Sequence, residues 1–360
     1  MNLLKAFKDP GLARKLSAAI AEVLGGRPFS IMEVCGGQTH TIYKYRLREM
    51  LPESLRLVSG PGCPVCVTPI QYIDKAVALG LEHGASIYTF GDLVRVPGTQ
   101  MSLEKAAAEG ADVQPVYSPL QSLEAAKENP EHEVVFLGIG FETTLPGIGL
   151  AIQQAKKEGV GNFSVLLSAK RVPPVLDALL VSGEAQVDGF ITPGHVTAII
   201  GTKAYGGLCK QYGVPMVCGG FEPIDLLGAI HQLVGELATG GSGNLNAYAR
   251  AASHEGNLKA QAVIGDVFNE IDDELRGLGT IPNAGYGIHG RYAGFDADRK
   301  FDIVTDSHEP AGCICGEILC GTKEPVDCPL FGQVCSPDSP VGSCMVSNEG
   351  ACNAAYLFRD

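Results

Sequence analysis

The sequence predicts an α/β protein with two parallel-sheet units, followed by an irregular, cysteine-rich C-terminal region. Two observations favour this class. From about residue 28 to residue 235, short apolar runs alternate with amphipathic helical stretches, which is typical of parallel sheets covered by helices on both faces. Beyond about residue 280 the chain is rich in glycine and proline, and seven of its twelve cysteines fall in residues 313–352.

The elements are predicted in the following order. An amphipathic helix lies near the N-terminus, between Leu3 and Val23, where charged residues interrupt the apolar ones. Helices are also expected at residues 70–81, 103–109 and 223–237, and helical sequence at 244–253 and 258–275. Eight strands are expected, at residues 30–34, 55–58, 86–90, 113–117, 134–137, 163–167, 189–191 and 215–217.

The polar stretch at residues 127–133 predicts where the two α/β units divide. The first unit then covers residues 28–128 and the second residues 129–238. Residues 1–27 and 239–360 together form a helical and metal-cluster domain. Because ligands of parallel sheets bind beyond the carboxyl ends of the strands, the turns that follow the strands should converge on a cleft between the units.

Charge and hydropathy exclude several function classes. The formal charge of -13 argues against nucleic acid or an anionic membrane as a partner, because such binding depends on lysine and arginine. Charges at Lys5, Lys8, Asp9, Arg14 and Lys15 interrupt any signal-peptide core, and no run approaches the ~20 apolar residues of a membrane span. We therefore expect a cytoplasmic protein, in which cysteines serve metal binding or redox chemistry rather than a disulfide framework.

The C-terminal cysteines give the strongest signal of a metal centre. Cys313, Cys328, Cys335 and Cys352 have the spacing C-x14-C-x6-C-x16-C. Four thiolates on an irregular segment suit an iron-sulfur cluster or a zinc site, and the long spacing favours the cluster. Core cysteines and regulatory disulfides are the alternatives. Spacing alone leaves the ligands open, since Cys315 could replace Cys313 and Cys344 could replace Cys352.

Two glycine-rich turns carry further cysteines. Cys63 and Cys66 form a C-x-x-C motif just before a predicted helix, where the helix dipole favours a reactive thiolate, so a redox pair is predicted. Half of a zinc site or a structural turn are the alternatives. Cys35 follows a strand, and His40 stands five residues later, which suits a metal site with open positions or a nucleophile pair. A buried cysteine beside a satisfied histidine would leave the same pattern.

Other polar residues follow predicted strands. Asp92, Glu142 and His195 each lie in a glycine-containing turn, where they could hydrogen-bond to metal ligands or cap a helix.

Together these motifs resemble one family, the HypD maturation factors of nickel-iron hydrogenases. The resemblance covers nearly the whole chain. It is carried by EVCGGQTH at residues 33–40, GPGCPVCVTP at 60–69, FGDLVRVPG at 90–98, GFETT at 140–144, PGHV at 193–196, GFEP at 220–223 and CMVSNEGAC at 344–352.

The resemblance implies two α/β domains and a third domain that holds a [4Fe-4S] cluster on Cys313, Cys328, Cys335 and Cys352. It also implies that the protein, with a small HypC-type chaperone, carries the Fe(CN)2CO unit later delivered to the hydrogenase large subunit. A HypE-type protein would donate the cyanide. Further site residues follow by position: Cys35 and His40 for iron, and Cys63 and Cys66 as the redox pair.

One position departs from the family. Many members have a histidine where this chain has Gln38, so an amide rather than an imidazole would hydrogen-bond a cyanide nitrogen there.

The resulting hypothesis is that electrons move between the cluster and the Cys63/Cys66 pair while iron is held by Cys35 and a cysteine of HypC. Two rival functions remain. A cluster-dependent thiol-disulfide reductase would act on disulfide substrates without HypC and without Cys35. A structural zinc protein would contain zinc rather than iron and sulfide.

Overall fold

Nine parallel strands in two sheets, and one antiparallel hairpin, form the β-structure of residues 6–359, which the computed structural model describes. The first sheet has the strand order β2-β1-β7-β8-β9 and the second the order β4-β3-β5-β6. The α/β class with parallel sheets is thereby confirmed. The strands are β1 Phe29–Glu33, β2 Leu55–Ser59, β3 Ser86–Thr89, β4 Val113–Pro115, β5 Val134–Gly140, β6 Phe163–Ala169, β7 Gly189–Pro193, β8 Met216–Gly219 and β9 Asn244–Asn246.

The sheets do not divide the chain where the sequence indicated. The chain begins in the first sheet with β1 and β2, crosses to the second for β3 to β6, and returns to the first at β7. In the first sheet β1 is central: Phe29 aligns with Leu55 of β2, and Ile31 aligns with Gly189 of β7. A division at residues 127–133 would cut both sheets. Since any buried strand reads as a similar apolar run, the local pattern cannot tell which strands become neighbours.

Helices cover both faces of the sheets, and several begin at residues suited to a helix start. Asp9 accepts a hydrogen bond from the amide of Leu12, and Ser118 forms a capping box with Gln121. The helices are Pro10–Leu24, Gly36–Lys44, Leu47–Met50, Pro64–Val67, Ile70–Leu81, Leu103–Ala108, Pro119–Glu128, Leu145–Glu158, Val172–Ser182, Gly194–Ile200, Gly206–Tyr212, Pro223–Thr239, Leu258–Val267, Ala297–Phe301, Cys315–Leu319 and Ala351–Leu357.

Of the two helical predictions after residue 240, the first is wrong and the second extends too far. Residues 244–246 are strand β9, and the helix that begins at Leu258 ends at Val267. The chain then enters an antiparallel hairpin of β10 (Phe268–Leu275) and β11 (Gly279–Ile288). The pairing partner of β10 lies outside the stretch that reads as helical, so the tertiary contact overrides the local pattern.

Three apolar cores stabilise these layers. One lies between the first sheet and the helices Pro10–Leu24 and Pro223–Thr239, a second surrounds β5 and β6, and a third joins β3, β5 and the C-terminal cysteine region. Leu3 and Leu4 of the predicted N-terminal helix lie outside the described residues. None of the helices within residues 6–359 combines the length and the apolarity needed to span a bilayer.

Candidate functional site

The carboxyl ends of β1, β2 and β7 meet at one place, as predicted for parallel strands. The turn after β1 contains Cys35, and the turn after β2 leads to Cys63. The amide of Gly36 donates to the carbonyl of Gly62, at 3.1 Å, which joins the two turns. A side chain at Gly62 would collide with the backbone of Val34 and Cys35, so this approach requires glycine. The two cysteine motifs therefore form one structural unit.

A buried carboxylate organises the Cys35 turn. Glu33 accepts hydrogen bonds from the amide of Cys35, at 3.0 Å, and from the hydroxyl of Thr39 on the following helix. Burial raises the pKa of Glu33 to about 7. Glu33 thus connects the end of β1 with the first turn of the helix Gly36–Lys44, and it fixes the backbone on either side of Cys35.

The imidazole beside Cys35 belongs to His195. The Cys35 sulfur lies 3.7 Å from Nδ1 of His195, which follows β7. Cys35 is 1% exposed, and burial raises the pKa of its thiol. Burial also lowers the pKa of His195 to about 4, so the ring is neutral near pH 7. The pair consists of a thiol and a neutral imidazole, which are both metal ligands once the thiol loses its proton.

His40 and Gln38 point elsewhere. Nδ1 of His40 lies 3.2 Å from the carbonyl of Asn348, and its ring packs edge-on against Phe358. The fully buried Gln38 donates through Nε2 to the carbonyls of Thr192, Gly219 and Gly220. Its Oε1 is buried without a hydrogen-bond partner among residues 6–359. The atom of Gln38 without a partner is therefore a hydrogen-bond acceptor. The amide nitrogen that was expected to face a cyanide nitrogen already donates to backbone carbonyls.

Cys63 and Cys66 form a disulfide, with their Cα atoms 5.2 Å apart. Cys63 is the N-cap of the short helix Pro64–Val67, separate from the helix Ile70–Leu81 that was expected to follow directly. Both cysteines are buried. Their placement before a helix agrees with the prediction, and their role as a redox pair stays a prediction.

Glu142 belongs to the second sheet, where it follows β5. Its Oε1 accepts from the amide of Val172 at 3.0 Å, while Oε2 is buried without a partner among residues 6–359. Burial raises the pKa of Glu142 to about 7. The buried Tyr205 lies near enough to interact electrostatically with Glu142, Cys218 and Cys35. Side chains from both sheets therefore approach the same region.

The C-terminal segment closes this region from one side. The hydroxyl of Ser347 donates to Asp92 at 3.1 Å. The neighbouring Glu349 packs so closely against Gly36 that a side chain at position 36 would collide with it. The hydroxyl of Ser343 also donates to the carbonyl of Cys66, at 3.2 Å. Residues 343–349 thus contact the turns of both cysteine motifs.

Four C-terminal thiols lie together. The sulfurs of Cys313 and Cys315 are 3.2 Å apart, and Cys315 also interacts with Cys344 and Cys352. The interaction with Cys315 lowers the pKa of Cys313 to about 6. This group contains two of the four predicted cluster ligands, Cys313 and Cys352.

The other two predicted ligands are not in this group. The sulfur of Cys335 accepts from the amide of Val341 at 3.4 Å, and Cys328 is half-buried after the turn Pro325–Asp327. As the side chains of residues 6–359 stand, no three His, Cys, Asp or Glu form a ready metal-binding group.

The donor chemistry nevertheless fits an iron-sulfur cluster. Thiols are the ligands that such clusters take, and four of them meet here on one irregular segment. Gly342 leaves space beside two of the sulfurs, since a Cβ there would lie 2.6 Å from both Cys313 and Cys315.

Several residues of this region were not predicted from sequence. Glu33 opens the first cysteine motif and Glu349 lies between Cys344 and Cys352, so their positions in the motifs were the available signal. Tyr205 and Arg276 lie in no cysteine motif. Only the folded chain places them near Cys35 and Cys313, respectively.

Comparison with known proteins agrees with the sequence motifs. The HypD family model, described as "Hydrogenase formation hypA family", matches residues 11–359. The chain is 46% identical over 367 residues to hydrogenase maturation factor HypD of Azotobacter vinelandii, covering 99% of this chain and 97% of that protein. Identity to HypD of Cupriavidus necator is 44%, with coverage of 99% and 97%, and to HypD of Escherichia coli 44%, with coverage of 92% and 90%. The chain therefore belongs to the HypD family of hydrogenase maturation factors.

Proposed function

We propose that this maturation factor carries an Fe(CN)2CO unit on Cys35, in a complex with a HypC-type chaperone, before the unit reaches the hydrogenase large subunit. The observation that carries the proposal is the buried Cys35 sulfur beside His195, where the turns of the first sheet meet. A soft thiolate with open neighbouring positions suits low-spin iron that holds cyanide and carbon monoxide.

Iron binding must displace the proton of the Cys35 thiol, and His195 lies beside that thiol. Cys35 is a thiol before iron arrives, because burial raises its pKa. Binding replaces the S–H bond with a bond to iron and releases a proton. Nδ1 of the neutral His195 lies 3.7 Å from the sulfur and can accept a hydrogen bond from the thiol; because burial lowers the pKa of His195 to about 4, the ring passes this proton on to solvent and does not keep it. The unpartnered Oε2 of Glu142 can donate a hydrogen bond to the cargo when the carboxyl is protonated, whereas the unpartnered Oε1 of Gln38 can only accept one, for example from a water molecule.

Cys63 and Cys66 are proposed as a redox pair that serves this site. Their turn is joined to the Cys35 turn through Gly36 and Gly62, so a change between disulfide and dithiol would act directly on the backbone of Cys35. The carbonyl of Cys66 also binds Ser343 of the cysteine-rich segment. The pair thus lies between the cargo site and the C-terminal thiols.

We propose that Cys313, Cys328, Cys335 and Cys352 hold a [4Fe-4S] cluster, with Cys315 and Cys344 as the alternatives that the structure favours by proximity. When bound, the cluster supplies one-electron redox capacity beside the pair. The proposal also includes a HypE-type cyanide donor and a location in the cytoplasm. Ten of the twelve cysteines are free, which agrees with a reducing compartment.

Infrared spectroscopy tests the cargo site. The chain is purified without oxygen after co-expression with HypC-type and HypE-type partners, and metal-bound cyanide and carbonyl bands are sought. We expect the bands in the wild type and their loss in Cys35→Ala. Cys209→Ala is the matched control, because Cys209 is also buried but lies away from the turns. Bands of full intensity in Cys35→Ala would refute the proposal.

The disulfide favours one second candidate, a thiol-disulfide reductase that uses the Cys63/Cys66 pair. The burial of both cysteines counts against it, because a protein disulfide cannot reach them without an opening of the fold. Reduction of a model disulfide by the chain alone, unaffected by Cys35→Ala, would favour this candidate. Loss of hydrogenase maturation in Cys63→Ala and Cys66→Ala variants is expected under both functions.

A further inference from the structure

The tip of the β10–β11 hairpin contacts both the disulfide motif and the cysteine-rich segment. The amide of Arg276 donates to the carbonyl of Val67, at 2.9 Å, at the end of the helix that contains Cys66. The next residue, Gly277, touches the backbone of Gly316 so closely that a side chain at either position would collide. The sulfur of Cys320 also approaches the carbonyl of Gly277, at 4.0 Å. The hairpin tip thus lies between the two sets of cysteines.

The Arg276 side chain is a buried cation with an incomplete set of partners. It is 4% exposed, and its Nε and Nη2 donate to Glu309 at 2.8 to 3.0 Å. Glu309 itself is 53% exposed, so solvent weakens its compensation of the buried charge. Nη1 is buried without a hydrogen-bond partner among residues 6–359. Burying an unsatisfied donor on a charged group is costly unless an anion is present when the protein works.

Cys313 lies close to this charge, because Gly277, the residue after Arg276, packs against Gly316, three residues after Cys313. The guanidinium is close enough to Cys313 to interact with it electrostatically, and Cys313 is common to the predicted ligand set and the observed thiol group. A second arginine contacts this segment at its surface: Arg95 donates to the carbonyl of Pro337 but is 44% exposed.

We propose that Arg276 is a positioning residue for the C-terminal cluster, whose Nη1 donates to sulfur at Cys313 and whose charge makes the cluster easier to reduce. The proposal rests on the proposed function, because it requires the cluster. Reduction adds one electron to the cluster, and a fixed positive charge in a low-dielectric surrounding stabilises the more negative reduced state. Hydrogen bonds to cluster sulfur act in the same direction.

The test is a redox titration of the full-length chain with dithionite, followed by electron paramagnetic resonance of the reduced cluster. Arg276→Gln should shift the midpoint potential to more negative values, whereas Arg276→Lys, which keeps the charge, should shift it less. Glu309→Gln should shift the potential in the opposite direction, because the carboxylate no longer offsets the guanidinium. Arg95→Gln is the matched control and should leave the potential unchanged.

The outcomes separate this inference from the proposed function. Wild-type protein without iron and sulfide would refute the cluster, and with it the role of Arg276. If the wild type contains the cluster, but its midpoint potential is unchanged in both Arg276→Gln and Glu309→Gln, the role of Arg276 is refuted while the proposed function stands. If Arg276→Gln does not fold, the half-exposed Glu309 still permits the test through Glu309→Gln. Loss of the cluster in both Arg276→Gln and Arg276→Lys would mean that packing rather than charge is the role of Arg276.

Discussion

Two buried glutamates with raised pKa values lie at the ends of β1 and β5, in the region of the Cys35 turn. The side chains of Glu33 and Glu142 are fully buried, and desolvation raises the pKa of each to about 7. Glu33 accepts two hydrogen bonds that connect the Cys35 turn, whereas Glu142 keeps one oxygen without a partner. Near pH 7 each carboxyl group is therefore partly protonated. Each could give or take a proton within the buried site.

The raised pKa of Glu142 predicts a pH-dependent stability. The folded state binds the proton more tightly than the unfolded state, so the stabilising contribution is complete below the ordinary pKa and is lost as the pH rises through about 7. Between the ordinary pKa of a glutamate and pH 7, the free energy of unfolding should fall by roughly 3 kcal/mol, at about 1.4 kcal/mol per pH unit. Glu142→Gln should remove this dependence, because the amide stays neutral while Oε1 can still accept from Val172. Urea unfolding at pH 5 and pH 7.5 measures it.

The exposed Glu131 provides the control for this measurement. Glu131→Gln should keep the wild-type difference between the two pH values, which also contains the contribution of Glu33. An unchanged difference in Glu142→Gln would mean that Glu142 is ionised in the folded protein at pH 5.

At the scale of elements, the site depends on how closely two turns approach. Gly62 lies against the backbone of Val34 and Cys35, and the amide of Gly36 reaches back to the Gly62 carbonyl. No side chain separates the turns after β1 and β2. The position of the Cys63–Cys66 disulfide relative to Cys35 is therefore set by backbone contact, which tolerates little displacement.

Gly62→Ala should separate these turns. Its new methyl group would collide with backbone, so we expect destabilisation of about 1–3 kcal/mol or more, as for overpacked cores. The iron-bound cyanide bands should also fall relative to the wild type. Gly91→Ala is the control, since a Cβ at Gly91 meets nothing within 4 Å. Equal stability of the two variants, measured by urea unfolding, would contradict the close approach.

Elements also show what the sequence could and could not predict. The eight predicted strands all occur, because each is a short run between turns; most of them are largely buried, whereas β4 is largely exposed. The convergence of Cys35, Cys63 and His195 could be predicted, because the carboxyl ends of parallel strands lie at the same edge of a sheet. The contact of His195 rather than His40 with Cys35 could not, because it depends on β1 and β7 being neighbours across 160 residues. The β10–β11 hairpin was missed because residues 268–275 were read as a continuation of the helix that begins at Leu258.

At the scale of the whole molecule, the two sheets share the chain in alternation. The first sheet takes strands from residues 29–59 and 189–246, and the second takes strands from residues 86–169. The loop at residues 129–133 therefore separates β4 from β5 within the second sheet, and it also divides the sequence of the first sheet. Both halves of the chain are needed for each sheet.

This alternation predicts the behaviour of a nicked protein. Cleavage at a protease site inserted at the exposed Glu131 should leave residues 1–131 and 132–360 together, because parallel strand pairs join them in both sheets. The two pieces should elute as one species in size-exclusion chromatography and separate only in denaturant. Separate elution under native conditions would instead indicate two independent domains divided at this loop.

The closure of the site by residues 343–349 has a consequence for biosynthesis. Ser343 and Glu349 contact the turns of Cys66 and Cys35, although they are made about 300 residues later. Because a chain is synthesised from its N-terminus, the turns of Cys35 and Cys66 lack these contacts on the ribosome until residues 343–349 emerge. The surroundings of the Cys35 thiol are therefore complete only after this late segment has been synthesised and has folded back.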